Sequence, residues 1–282
     1  MSNSLRHIVC VSDMHAGSSV ALCPPDFELD DGGLYRFSDY QGTLWSWWRE
    51  FWDEWVPRIT GKERYAVVIN GDVIDGQVKQ STTNWSVNFE DQARAAIDLL
   101  KPVAAEAAEF YIVRGTEAHV GKSAQFEERI ARELQAIGHG KTHSRWDLWY
   151  RLGDRTIHFA HHIGTTSSTA YEASALCREL VAAFVEAGQW QDQPPPSMCV
   201  RSHRHRFCLV SIPTVSGEAT IFVTPGWQLH TPFSHRMGQS MRVPQIGGVC
   251  ISLDGGELVV RKKIWAPKVR NYVSQPATKS TG

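Results

Sequence analysis

The sequence predicts an α/β fold, a four-layer α-β-β-α sandwich of two mixed sheets flanked by helices. Two observations carry this. The first half of the chain alternates β-branched apolar runs with segments of helical period, and the second half reads mostly as short strands joined by tight turns. A sheet packed on a sheet with helices outside is the arrangement that buries both patterns.

The elements follow in order. His7 to Val11 is a β-branched run ending in Ser12-Asp13, a buried strand that delivers polar side chains at its carboxyl tip. Cys23 to Tyr40, with Pro-Pro and Asp-Asp-Gly-Gly, reads as a loop. Thr43 to Val56 is tryptophan-rich at helical period. Trp45, Trp48, Trp52 and Trp55 share one face, which favours a packed amphipathic helix over base stacking, with Trp47 off the stripe. Arg64 to Asn70 is a second buried strand, broken at Gly71-Asp72. An alanine-rich helix over Asn88 to Leu100 is expected to stop near Lys101-Pro102, because proline disfavours helix in the residue before it. Phe110 to Val113 is a third strand, and Ala124 to Ile137 a helix closed by Gly138. Leu148 to Leu152 and Thr156 to Ala160 pair across a Gly153-Asp154 turn. Tyr171 to Glu186 is helical, and Pro194 to Pro196 form a stiff linker into a strand at Met198 to Arg201. Four more strands cover Phe207 to Ile212, Ala219 to Thr224, Gly248 to Leu253 and Glu257 to Lys262. One domain over 1–270 is expected, with the tryptophan-rich segment near 40–57 inserted in it and a polar, disordered tail at 271–282.

Composition narrows the function. Lysine and arginine total 29 against 30 acidic residues, so bulk charge draws in neither nucleic acid nor an anionic membrane, and any anionic substrate must be held locally. Apolar runs such as Tyr65 to Ile69 are far too short to cross a bilayer, and the N-terminus lacks the apolar core of a signal peptide. A soluble, cytoplasmic protein without a membrane partner is expected. The six cysteines lack C-x-x-C spacing and read as reduced, buried thiols. Seven of the twelve histidines fall in short clusters at 119, 139–143, 161–162 and 203–205.

Five groups of acidic and histidine residues each lie just past an apolar run: Asp13-Met14-His15, Gly71-Asp72 with Asp75, Gly115-Thr116-Glu117-Ala118-His119, His161-His162, and Ser202-His203-Arg204-His205. In an α/β sheet the crevice beyond the strand carboxyl ends is where ligands bind, so tips distant in sequence can meet. Mixed imidazole and carboxylate ligands suit transition-metal cations, and a carboxylate can bridge two of them. The isolated His7, His139, His143, His158, His230 and His235 read as structural. Trp85, Trp190 and Trp227 are left open between packing and substrate contact.

The order D-x-H, G-D-x-x-D, a glycine turn with a downstream histidine, a lone histidine and H-x-H resembles the calcineurin-like metallophosphoesterases over Asp13 to His205. That resemblance implies a binuclear centre of two divalent ions, manganese foremost, with iron, zinc or nickel as alternatives. It implies hydrolysis of phosphate esters through a metal-bridging hydroxide. Asp13 and His15 would hold the first ion, Asp72 would bridge, and Asp75 would orient the shell. His203 and His205 would bind the second and first ions, and His161, with His162 in reserve, would complete the second. The family has an asparagine after the glycine of the third strand; here Glu117 or Thr116 would replace it, with Glu117 favoured as the anion. His119 would stabilise the transition state or protonate the leaving alkoxide. Arg114, Arg204 and Arg206 lie beside ligand positions, and their guanidinium groups match phosphate geometry. The Pro-Gly-Trp segment at Trp227 resembles a substrate-side loop of the family. The G-T-x-A-H turn resembles phosphoesterases of phage and prophage genomes, which favours nucleotide or nucleic-acid diesters as substrate; a monoester is the other option, and oligomeric state is not readable. Two readings compete: a non-catalytic binding module on the same fold, for which the altered turn is the argument, and a mononuclear zinc hydrolase, which leaves several ligands without a task.

Overall fold

A computed structural model of the chain describes residues 4–78, 81–164, 169–190, 194–232, 235 and 243–267. The expected tail at 271–282 lies outside the described residues. In chain order the strands are β1 (His7–Val11), β2 (Phe27–Glu28), β3 (Leu34–Tyr35), β4 (Tyr65–Asn70), β5 (Glu109–Val113), β6 (Ser144–Arg145), β7 (Leu148–Leu152), β8 (Arg155–Phe159), β9 (Met198–Arg201), β10 (Cys208–Thr214), β11 (Gly217–Val223), β12 (Ile246–Asp254) and β13 (Glu257–Trp265). The α-helices are α1 (Asp39–Glu50), α2 (Val56–Thr60), α3 (Phe89–Glu106), α4 (Glu117–Val120), α5 (Gln125–Glu133) and α6 (Glu172–Trp190).

β1 is buried along its whole length, with Ile8 and Cys10 on one face and Val9 and Val11 on the other, so its sheet must be covered on both sides. It is central to a six-stranded sheet ordered β13-β12-β1-β4-β5-β6, in which β1, β4, β5 and β6 run parallel, β12 is antiparallel to β1, and β13 is antiparallel to β12. A second, five-stranded sheet is ordered β10-β11-β9-β8-β7, with β8, β9 and β11 parallel and antiparallel hairpins at both edges. Both sheets are mixed.

Three apolar clusters separate four layers. Ile8, Cys10, Ala66, Val68 and Val113 of the first sheet meet Leu152, Ile157, Phe159, Met198, Val200 and Phe222 of the second. On the first sheet's outer face Val9, Val11, Val67, Ile69 and Ile112 pack under Leu44, Trp48, Phe51, Ala95, Leu99 and Ile130 of the helices. On the second sheet's outer face Cys199, Ala219, Ile221 and Val223 pack under Leu176 and Leu180 of α6. Each such fully buried aliphatic or aromatic side chain contributes on the order of 1.5–3 kcal/mol. The α-β-β-α order is therefore present.

The tryptophan stripe packs as an amphipathic helix does. The helix is longer than the periodicity predicts, because α1 continues through a π-helical turn at Phe51–Trp55 into α2, and Ser38 with Gln41 forms a capping box at its start. Trp227 is fully buried against Trp48, at 4.9 Å between ring centroids, and Phe51, so it serves the core and not a substrate loop.

Other helix boundaries also differ from expectation. α3 runs through Pro102 to Glu106, since burial of Leu99, Leu100 and Val103 offsets the lost amide bond. α5 stops at Glu133: Gln135 takes φ 54° and Ala136 bonds back to Ala131, turning the chain so that Ile137 donates to Phe110. The loop at 23–40 contains the small β2–β3 hairpin. All six cysteines are free thiols. Among the described residues no helix is long and apolar enough to cross a membrane.

Candidate metal centre

The five predicted tip segments meet at the carboxyl ends of β1, β4, β5, β8 and β9. The loops after β1 and β4 run side by side, Asp13 N–H donating to Gly71 C=O at 2.9 Å and His15 N–H to Asp72 C=O at 3.1 Å. Asp13, His15, Asp72, His203 and His205 all adopt positive φ, between 47° and 71°. Non-glycine residues in this region cost about 1–3 kcal/mol each, and such strain gathers where a fixed side-chain direction matters. The glycines flanking them are required by contact: a Cβ on Gly71 would sit 2.4 Å from His161 Nδ1, and one on Gly115 2.2 Å from Asp72 N.

Three groups of ligand-type atoms result: Asp13, His15 and His205; Asp72, His161 and His203; and His15, Asp72 and His119, which joins the first two. Within them His205 Nε2 lies 3.2 Å from Asp13 Oδ1 and 3.2 Å from His15 Nε2. His161 Nε2 lies 3.0 Å from Asp72 Oδ2, and His203 Nδ1 3.8 Å from the same oxygen. Thr116 donates its N–H to Asp72 Oδ1 at 2.6 Å and its hydroxyl to Oδ2 at 3.0 Å, and that hydroxyl is also 3.1 Å from His203 Nδ1.

Hydrogen bonds behind the cluster set which nitrogen faces it. His161 donates Nδ1–H to Asn70 C=O at 2.7 Å, and His119 donates Nδ1–H to Asp75 C=O at 2.6 Å, so each presents Nε2 inward. Asp75 lies 3.2 Å from His15 Nδ1 and accepts from Gln228 and Asn84. Ser12, Thr224, Ser202 and Asn70 form a buried chain of polar side chains behind Asp13, the Ser12 hydroxyl donating to its Oδ2.

The donor set fits divalent cations. Asp13, Asp72, Asp75 and Glu127 are four buried carboxylates, and among the described residues none has a lysine or arginine partner. Asp13 Oδ1 is buried and faces only the imidazole nitrogens of His205 and His161, without a well-aligned hydrogen bond. Uncompensated buried charge of this kind calls for cations. Without them imidazolium takes the part. Burial works to lower the His161 pKa, but the Asp72 and Asp13 carboxylates outweigh it and raise it; His205 is raised likewise, against burial, by Asp13. Burial opposes ionisation of Asp13 and Asp72, yet these histidines hold both carboxyls below the usual range. Burial, followed by repulsion from His119, lowers His15. Glu127 is pushed up to about 7 by burial and by the charge of Asp72.

Asp13, His15, Asp72, Thr116, His119, His161, His203 and His205 are thus brought together. Glu117 is not: it is exposed on the first turn of α4, and its neighbour Thr116 occupies the place against Asp72. His162 is exposed, its ring 5.4 Å from that of His203. Arg114 turns to Ser144 and Glu128 beneath the Trp146 ring, and Arg204 donates to the carbonyls of Gly164 and Glu172, so both guanidinium groups are engaged by the protein itself. Residues missed by the sequence reading are Glu127, Asn70, Ser12, Thr224 and Gln228. Asn70 and Ser12, polar residues closing apolar strands, carried a readable signal; Glu127, on a helix face that looks solvated, did not.

No family model matches the chain, and no curated protein matches it. Among solved structures, a conserved uncharacterized protein of Streptococcus pneumoniae described as a predicted phosphoesterase aligns at 12% identity and a TM-score of 0.37, covering 93% of this chain and 98% of that one. A single-substitution variant of Vps29 from Entamoeba histolytica aligns at 11% identity and a TM-score of 0.38, covering 92% and 99%. Vacuolar Protein Sorting 29 from Cryptosporidium parvum gives 10% identity, a TM-score of 0.35 and coverage of 93% and 98%. At these values the likeness does not speak to chemistry, which rests on the geometry of the cluster.

Proposed function

We propose that the chain is a two-metal phosphoesterase acting on phosphate esters, with nucleotide or nucleic-acid phosphodiesters as the substrate class. The observation that carries the reading is the linkage of two ligand groups, Asp13-His15-His205 and Asp72-His161-His203, through a third that contains both His15 and Asp72. Asp13, His15 and His205 would hold one cation, His161, His203 and the Thr116 hydroxyl the other, and Asp72 both. When bound, two divalent ions, manganese foremost, supply Lewis acidity toward a water nucleophile and toward phosphoryl oxygens. The protein's own residues do the rest. Asn70 and Asp75 fix the tautomers of His161 and His119. His119, with Nε2 directed inward, would hold a transition-state oxygen or pass a proton to the leaving alkoxide. The resemblance of Gly115-Thr116-Glu117-Ala118-His119 to phage phosphoesterases supports the diester preference.

The test strips the protein with chelator, restores Mn²⁺ and assays bis-p-nitrophenyl phosphate and p-nitrophenyl phosphate in parallel. Metal-dependent turnover is expected, the diester faster. Asp72→Asn keeps the volume and loses the shared carboxylate, so turnover should fall by more than the roughly hundredfold that outer-shell changes cost. Near wild-type rates in Asp72→Asn with metal present would refute the two-metal assignment, and stoichiometric metal with hydrolysis of neither ester would favour a binding module.

A further inference from the structure

The first turn of α5 carries adjacent glutamates with different surroundings. Glu128 accepts from the N–H groups of His143 and Ser144, from the Ser144 hydroxyl and from Arg114, so its charge is matched by a guanidinium. Glu127 is wholly buried and accepts from two backbone amides, Gly115 N–H at 2.7 Å and Val73 N–H at 3.2 Å, with no lysine or arginine among the described residues paired to it. Those two amides belong to the residues next to Thr116 and Asp72. Thr116 in turn donates twice to Asp72, so Glu127, Gly115, Thr116, Asp72 and Val73 close a hydrogen-bonded ring that joins the tips of β4 and β5.

We infer that Glu127 is a positioning residue of the metal centre, which through the Gly115 and Val73 amides fixes the spacing of Asp72 and Thr116 for cation binding. The inference rests on the two-metal reading. Two neutral amides do not by themselves require an anion. A carboxylate buried beside Asp72 without a lysine or arginine partner finds its compensation in cations held by the ring it completes. Glutamine fills the same volume but offers one acceptor and turns an amide N–H toward a donor, so the ring cannot close on both sides.

The test titrates Mn²⁺ into metal-stripped, full-length wild type, E127Q, E127D and E128Q by calorimetry, with far-UV dichroism and melting curves as fold controls. E127Q should keep its dichroism, bind Mn²⁺ at least about tenfold more weakly, and lower kcat with little change in KM. E128Q should melt earlier but bind Mn²⁺ as wild type does. Should E127Q fail to fold, E127D carries the test: it keeps the charge and shortens the reach, and its Mn²⁺ affinity should fall as well. Wild-type Mn²⁺ affinity in a folded E127Q or E127D overturns the inference while leaving the two-metal reading intact. Failure of the wild type itself to bind Mn²⁺ overturns both.

Discussion

In the proposed metal centre, His161 shows at one residue how a ligand would be prepared. Its Nδ1–H is committed to Asn70 C=O, so any cation must be met by Nε2, and Nε2 faces Asp72 at 3.0 Å. Burial alone would discharge this imidazole, yet the neighbouring carboxylates raise its pKa, so the metal-free site holds a proton at neutral pH that an incoming cation must expel. Mn²⁺ affinity should therefore rise with pH. Calorimetry at pH 7.5 in buffers of differing ionisation enthalpy should report net proton release, and zero release would remove His161 from the ligand set. Gly71, next to Asn70, enforces the same geometry by its close approach to the Nδ1 edge of the ring. Its φ of +86° and the 2.4 Å approach of His161 Nδ1 leave no room for a Cβ. Gly71→Ala should destabilise by more than about 1 kcal/mol in a melt and, by displacing His161, weaken metal binding as well.

At the scale of elements, α3 is held by its apolar face and not by its local sequence. Pro102 interrupts the amide ladder on the exposed side while Leu99, Leu100 and Val103 stay buried. Proline in a helix interior costs about 3 kcal/mol relative to alanine, partly returned through the stiffer unfolded chain. Pro102→Ala should thus raise the stability of the folded protein by about 1–2 kcal/mol, and an earlier melt would show that the proline is accommodated without loss. The same contrast governs what was legible in the sequence. Strands buried on both faces announce themselves as apolar runs, and the polar residues that end them, Asp13, Asp72, His161, His203 and His205, are legible because a strand tip can point only into the crevice. Tertiary partners left no such trace. Nothing in Gln125-Phe126-Glu127-Glu128-Arg129 distinguishes a buried glutamate from a solvated one, and the anion at Glu117 looked a better ligand than Thr116 until α4 turned it to solvent. Arg114 and Arg204 suit phosphate chemically but are engaged by Glu128 and by backbone carbonyls, which only the fold reveals.

For the molecule as a whole, a formal net charge of −1 conceals a local excess of buried carboxylates at the strand tips that form the cluster. This excess makes stability depend on pH in a way that metal should weaken. His161, His205 and Glu127 all hold their protons more tightly folded than unfolded, so each stabilises the protein below its unfolded pKa and loses that contribution as pH climbs through the folded value. Between pH 7.5 and 8.5 the unfolded chain has already shed the His161 proton while the folded, metal-free protein still holds it. The histidines shifted down, His7, His15, His158, His162 and His230, are neutral in both states there and add no slope. Buried thiols such as Cys10 push the same way only near the upper end of the window. The melting temperature of chelator-treated protein should accordingly fall from pH 7.5 to 8.5. Saturating Mn²⁺ should raise it at both values, adding about 2.7 kcal/mol of stability per site at a hundredfold excess over Kd, and flatten the slope, because the cations replace the protons that the metal-free site holds. Equal slopes with and without Mn²⁺ would show that these groups do not surround a metal, and would place the origin of their shifted titration in the fold alone.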